Sequence, residues 1–276
     1  MTMCLRLRPS STFPTRFSRP FSSPKHRLNL NPIPNPFLSF KTPSRTLHFS
    51  TKITMSSSSQ TIEHIVLFKV KDDTDQSKVS AMISGLNGLT SLDSVLHLSA
   101  GPLLRNRSSS FNFTHLLHSR YKSKDDLSSY SQHPSHLSVV KESVLPICDD
   151  IMAVDWVADD LQGPLSLPLG SALRVSFLKL KESSGEGAKC EVLEAIKGIK
   201  NSFSQIAQLS VGENFSPARA KGFSIASLAV FPGTSELEAV DSDQELVNAQ
   251  KEKVRDNLES VIVVDYVVSL TQPASL

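Results

Sequence analysis

Apolar and polar positions along the chain alternate between two periods, and the switches between them predict the elements. His64–Lys71 is a β-rich run, and Gln76–Leu89 places Val79, Met82, Ile83 and Leu86 at helical spacings of three and four. Val95–Ala100 reads as a short strand ended by Gly101-Pro102, and Phe111–Tyr121 as another strand. Ser123, with Asp126 three residues on, has the form of a capping box that opens a short helix through Tyr130. Pro134 suits the first position of a further helix, with Val139, Val140 and Val144 as its apolar face. Ile151–Val157 closes the set as a strand.

The same plan then recurs at an offset of about 110 residues, predicting strands at 172–180, 206–211, 222–230 and 261–268 and helices at 188–201 and 235–256. Arg174–Lys181 matches His64–Lys71, and Asp265-Tyr-Val267 matches Asp155-Trp-Val157. Leu209-Ser-Val-Gly212 matches Leu98-Ser-Ala-Gly101 with a slip of one residue. Phe113 and Phe223, Leu127 and Leu237, Lys141 and Lys251, and Val144 and Val254 keep the offset throughout. The order predicts two α+β modules, 61–159 and 171–269, joined by a linker over 160–170 that contains Gly163-Pro164 and Pro168-Leu-Gly170. Each module has a four-stranded antiparallel sheet with helices on one face. Two such sheets bury their open faces by closing on each other, so the expected architecture is a pair of tandem ferredoxin-like modules forming an intrachain pseudo-dimeric α/β barrel.

Charge divides the chain differently. None of the 27 acidic residues lies before Glu63, whereas nine of the 29 Lys and Arg lie in the first 60 positions, which leaves the rest of the chain with a net charge of −7. An acidic body repels phosphate, so a nucleic-acid partner is not expected. Residues 1–54 are Arg-rich, Ser-rich and interrupted by Pro, a composition that predicts a plastid-type targeting segment. A start at Met55 would omit it. The tail over 270–276 ends Ala274-Ser275-Leu276, one residue away from the peroxisomal Ser-Lys-Leu address. Chloroplast and peroxisome are therefore the two expected destinations. No run of 18 apolar residues predicts a membrane span. Cys4, Cys148 and Cys190 show no Cys-x-x-Cys spacing, and no Walker loop, Gly-x-Ser-x-Gly elbow or His-Glu-x-x-His motif is present.

His64-Ile-Val-Leu-Phe-Lys, His133-Pro-Ser-His136 and Val154-Asp-Trp156 together resemble the stress-responsive dimeric A/B-barrel family, over nearly all of residues 62–268 as two copies. The resemblance implies a pocket between sheet and helices. Carried over from the family's polyketide-cyclase branch, typified by olivetolic acid cyclase, the catalytic pair falls on Tyr130 and His136, with His64 and His115 in the pocket wall and His133 beside them. The second copy has Arg174, Ile225, Val240 and Leu246 where the first has His64, His115, Tyr130 and His136, so at most one pocket per chain is implied.

A neutral imidazole can take a proton from an activated carbon near neutral pH, and a phenol can donate to the developing oxyanion. Such chemistry requires no nucleotide, metal or flavin cofactor. The same histidines also suit helix capping and core hydrogen bonding. His133 and His136 alone do not make a zinc ligand set. His118, alternating with His115 along its strand, should face away from the pocket. The expected partner is a small apolar or aromatic ligand, with further self-association left open. A cyclase-like lyase and an interaction module with a filled interior are the other readings.

Overall fold

The computed structural model describes residues 60–108, 110–159 and 161–269. The expected targeting segment, the expected start at Met55 and the C-terminal tripeptide lie outside the described residues. Strands β1 (Thr61–Val70), β2 (His97–Asn106), β3 (His115–Tyr121) and β4 (Cys148–Ala158) belong to the first module. Strands β5 (Ala172–Leu180), β6 (Gln208–Glu213), β7 (Ile225–Phe231) and β8 (Leu258–Val267) belong to the second. All pairings are antiparallel, in one eight-stranded sheet of order β4-β1-β3-β2-β8-β5-β7-β6. Its two ends meet where Trp156 bridges Asn214 and the Phe215 amide donates to the Asp155 carbonyl at 2.9 Å. The chain is thus its own pseudo-dimeric barrel.

Two-residue alternation sorts the side chains. Ile65, Leu67, Leu116, Met152, Val154 and Trp156 point into the barrel, where they meet Leu173, Val175, Phe177, Leu228 and Tyr266 of the second module. Val66, Phe68, Leu98, Leu117 and Ala153 face outward onto helices α1 (Gln76–Gly88), α2 (Lys124–Gln132) and α3 (Pro134–Val139) of the first module. The second module is covered by α4 (Glu186–Lys197), α5 (Ile199–Ser202), α6 (Thr234–Ser242) and α7 (Gln244–Arg255).

The repeated motifs fasten the modules together. Ser99 of the first module hydrogen-bonds the Tyr266 hydroxyl of the second at 2.5 Å, and Trp156 of the first donates its indole N–H to Ser210 of the second at 2.7 Å. These are the Ser of each Leu-Ser-x-Gly motif and the aromatic residue of each Asp-aromatic-Val motif. The pairing across modules explains why both motifs recur together.

One end of the barrel interior is polar. Glu63, His118 and Arg120 are fully buried there. His118 Nε2 and Arg120 contact the Glu63 carboxylate at 2.7 and 3.0 Å. Arg120 also donates to Gln208 Oε1 of the second module at 2.6 Å and to the Pro164 and Leu165 carbonyls of the linker. Burial alone would raise the Glu63 pKa; Arg120 and His118 reverse that and hold it down at about 2.

Several elements differ from the periodicity reading. β2 does not stop at Ala100; it runs through Gly101-Pro102 to Asn106. Pro102 is the last residue opposite β3, and Leu103 the first opposite β8, so the missing N–H falls where the strand changes partner. The regular part of the third strand begins only at His115, because Phe111 and Phe113 stack on each other at 5.9 Å at the barrel end instead of pairing. The predicted helix 235–256 is two helices, broken where Asp243 caps α7 by accepting from the Leu246 amide at 3.0 Å. The predicted helix 188–201 is likewise broken, at Gly198.

Candidate functional site

Between the outer face of the first module's sheet and its helices lies a cavity of about 300 Å³. Its apolar wall comes from Val66, Phe68 and Leu117 on the strands, Leu86 on α1, and Val140, Val144 and Leu145 beyond α3. Those last three belong to or adjoin a π-helical turn over Val140–Val144. Single π-turns inside helices widen the local backbone and are frequent at functional sites.

Three of the five predicted site residues come together here: His64, Tyr130 and His136 all line the cavity. Ser123 accepts from the Asp126 amide at 3.1 Å and starts α2, which ends with Tyr130 in its last turn. His133 then caps α3, its Nδ1 accepting from the Ser135 amide at 3.2 Å, which sets the start of the helix that carries His136. His133 itself lies in a separate depression with Ser91, Asp93 and Ser129, outside the cavity. His115 is not among the cavity-lining residues either; it sits at the start of β3 with its Nδ1 2.8 Å from Thr114 Oγ1. Its position opposite Phe68, near the end of β1, takes it away from His64. His118 faces the barrel interior, on the opposite side of β3.

The Tyr130 and His136 rings are 4.6 Å apart between centroids. His136 Nδ1 is 3.0 Å from the Ser131 carbonyl oxygen, which can only accept, so Nδ1 carries the hydrogen and Nε2 of the neutral ring is left with its lone pair. Burial lowers the His136 pKa, opposed by that hydrogen bond, so the ring is neutral at pH 7. Burial raises the Tyr130 pKa, so the phenol keeps its proton. Tyr121 interacts with Tyr130 and is itself hydrogen-bonded to Ser119 at 2.9 Å. A neutral imidazole with a free Nε2 lone pair and a protonated phenol therefore lie in ring contact on the cavity wall.

His64 has a partner that sequence reasoning passed over. Its Nδ1 forms a short buried contact with the Asp155 carboxylate on the adjacent strand. Burial would raise the Asp155 pKa, but the His64 contact outweighs it and the carboxyl stays ionised. An ionised carboxylate at Nδ1 fixes the ring's orientation and places its hydrogen. Asp155 was visible as half of the repeated Asp-aromatic-Val motif, and a carboxylate inside an apolar strand was the signal that it had a buried partner.

The equivalent region of the second module is built from ion pairs. Arg174, at the position of His64, contacts Asp265 and Asp241, each at 2.8 Å. Arg105 at the end of β2 and Arg107 just beyond it join the same two carboxylates. Val240 and Leu246 replace Tyr130 and His136 and pack in the sheet–helix core. Among the described residues, no Tyr–His ring contact like the first module's exists there.

The sequence profile of the stress-responsive A/B barrel domain matches residues 62–158 and again 173–268. The chain belongs to this family. Two stress-response A/B barrel domain-containing proteins of Arabidopsis thaliana are close relatives. The chain is 52% identical to one of them over 276 residues, covering 99% of this chain and all of that one. It is 47% identical to the other over 210 residues, covering 75% of this chain and 97% of that one. Among solved structures, a protein from Fusobacterium nucleatum superposes with a TM-score of 0.54 at 13% identity, covering 77% of this chain and 94% of that one. That likeness is one of fold. The chain is a tandem, stress-response A/B barrel domain protein.

Proposed function

We propose that this A/B barrel protein binds a small apolar or aromatic molecule in the first-module cavity, beside Tyr130 and His136. The observation that supports this most strongly is the contrast between modules. One sheet–helix interface holds an apolar cavity with converging polar groups, the usual form of a small-molecule site, while the equivalent interface is filled by Arg174, Asp241 and Asp265.

A second reading is favoured by the protonation states. With His136 neutral and hydrogen-free at Nε2, and Tyr130 protonated, the pair can remove a proton from an activated carbon and steady the resulting oxyanion, as a cofactor-independent cyclase or lyase does. Positioned general-base assistance of this kind contributes roughly 10²–10⁴-fold. His64, held by Asp155, would serve as a second polar contact to the ligand. The proposed sites of action are the chloroplast, addressed by the segment 1–54, and the peroxisome, addressed by the C-terminal tripeptide.

The test is ligand retention by the full chain incubated with a plant metabolite extract, read by mass spectrometry against a Tyr130→Phe/His136→Ala double variant. The binding reading expects a compound held by the wild type and lost by the variant, which then becomes the substrate in a turnover assay. Equal retention by both folded proteins sinks the assignment of the site.

A further inference from the structure

The second module lacks the first module's site residues, yet one of its side chains reaches the first module's cavity. Arg219 lines that cavity from the end of a 3-10 turn, Pro217–Arg219, between β6 and β7. The loop that carries it is attached to the first module at several points. The Asn214 side chain accepts from the Asp155 amide at 3.2 Å, one residue from the Trp156–Asn214 bridge that closes the barrel. Phe215 packs against the first module's sheet–helix core, under the Lys124 ammonium 4.1 Å from its ring centroid. Beyond the turn, Lys221 pairs with Asp150 of β4 at 2.8 Å. Arg219 is therefore presented by a fastened loop, although its own side chain is exposed.

Its guanidinium is close enough to Asp155 to favour the ionised carboxylate, yet it makes no direct ion-pair contact. Among the described residues Arg219 has no ion pair, whereas Arg174, Arg105 and Arg107 all converge on Asp241 and Asp265 in the second module. Among the residues that line the cavity Arg219 is the one Lys or Arg, and none is Asp or Glu. The other polar liners are neutral donors and acceptors: His64, Tyr130, Ser131 and His136. The site thus combines an apolar interior with a single guanidinium at its edge. A planar guanidinium matches a carboxylate with two parallel hydrogen bonds, and one cation balances one carboxylate. Beyond the larger effects of His64 on Asp155 and of burial on His136, the Arg219 charge favours ionised Asp155 and disfavours protonated His136.

We propose that Arg219 is the anion-recognition residue of the first-module cavity, and that the ligand class is an apolar or aromatic carboxylate whose ring or chain lies against the valines and leucines. The inference rests on the reading of this cavity as a ligand site. It also gives the diverged second module a role: it supplies the specificity-determining side chain of the first.

The test uses two probes that share one ring system, 2-naphthoate and the uncharged 2-naphthol, titrated calorimetrically at pH 7 into the full chain and into Arg219→Gln and Arg219→Lys variants. Wild type is expected to favour the carboxylate over the naphthol by about tenfold, the equivalent of one charge-assisted contact. Arg219→Gln is expected to lose that preference with naphthol affinity unchanged, and Arg219→Lys to keep part of it. A wild-type preference for naphthol, or a preference that survives in Arg219→Gln, overturns the role of Arg219 while leaving the cavity as a ligand site. Binding of neither probe to wild type overturns both.

Discussion

Alanine at Gly212 and alanine at Gly101 should have unequal consequences, although the two glycines are equivalent in the repeat. Each ends a Leu-Ser-x-Gly motif and lies against the aromatic residue of the other module. At Gly212 a Cβ would sit 2.7 Å from Trp156 Cδ1, 2.8 Å from the Val157 carbonyl oxygen and 3.0 Å from Trp156 Cβ. At Gly101 the nearest atom is Tyr266 Cε2 at 3.4 Å, followed by the tyrosine hydroxyl at 3.5 Å. Trp156 is fully buried and pinned through its indole N–H to Ser210, and a backbone carbonyl has no rotamer to escape into. Gly212→Ala must therefore push β4 away from β6 at the barrel seam. Overpacking of this kind costs about 1–3 kcal/mol, and loss of the indole hydrogen bond adds about 0.5–1.5 kcal/mol. Restriction of the unfolded chain returns about 0.4–1 kcal/mol.

The net expectation for Gly212→Ala is a destabilisation of about 2 kcal/mol, which corresponds to roughly 4–8 °C in a domain of this size. For Gly101→Ala the contact is nearly ordinary, and the expected change is within about 0.5 kcal/mol of zero. Urea unfolding followed by the fluorescence of Trp156, the chain's single tryptophan, reports at the seam itself. Equal midpoints for the two variants would show that the barrel is not closed by a tight β4–β6 junction.

Three further outcomes follow from buried groups and from the chain ends. Glu63→Gln removes the carboxylate that Arg120 and His118 share inside the barrel and should cost about 3–5 kcal/mol, measured by the same unfolding assay; a change below about 1 kcal/mol would show that the Arg120 contacts to Gln208 and the linker carbonyls suffice. Stability should fall as the solution is acidified. His97, whose folded pKa burial depresses to about 3, resists protonation that the unfolded chain accepts near 6.5, and Glu63, held at about 2, adds its loss from about 4.5 downward; a urea midpoint flat between pH 6.5 and 3 would contradict this. Fluorescent fusions tagged at opposite ends should label chloroplasts when the N-terminus is free and peroxisomes when a Met55-start form has a free C-terminus; diffuse cytosolic signal from both would remove both addresses.

The strands, the duplication and the barrel were legible because each rests on short-range pattern. Alternation in Ile65, Leu67 and Val66, Phe68 names two faces, and the repeat says that one of them needs a second sheet. Tyr130 and His136 were legible through the resemblance, six residues apart around a helix junction. The remainder depended on distance in sequence. Arg219 reaches the cavity of Tyr130 only because the sheet closes on itself between Trp156 and Asn214, and nothing near Arg219 announces that closure. Pro102 read as a strand end because a lone proline carries no information about a change of partner strand. His115 shares its outward face with Leu117, yet the length of β3 sets it apart from the cavity, which face assignment alone does not reveal. Glu63, at the edge of an apolar run, became meaningful only when Arg120 and His118 were found opposite it.

The most direct test of a single ligand site per chain is methyl NMR of the full chain during titration with 2-naphthol. Shifts confined to Val66, Leu86, Leu117, Val140, Val144, Leu145 and Ile151, with the Val240 and Leu246 methyls of the second module unmoved, are the predicted result. Shifts centred on the second module, or spread evenly over both, would contradict it.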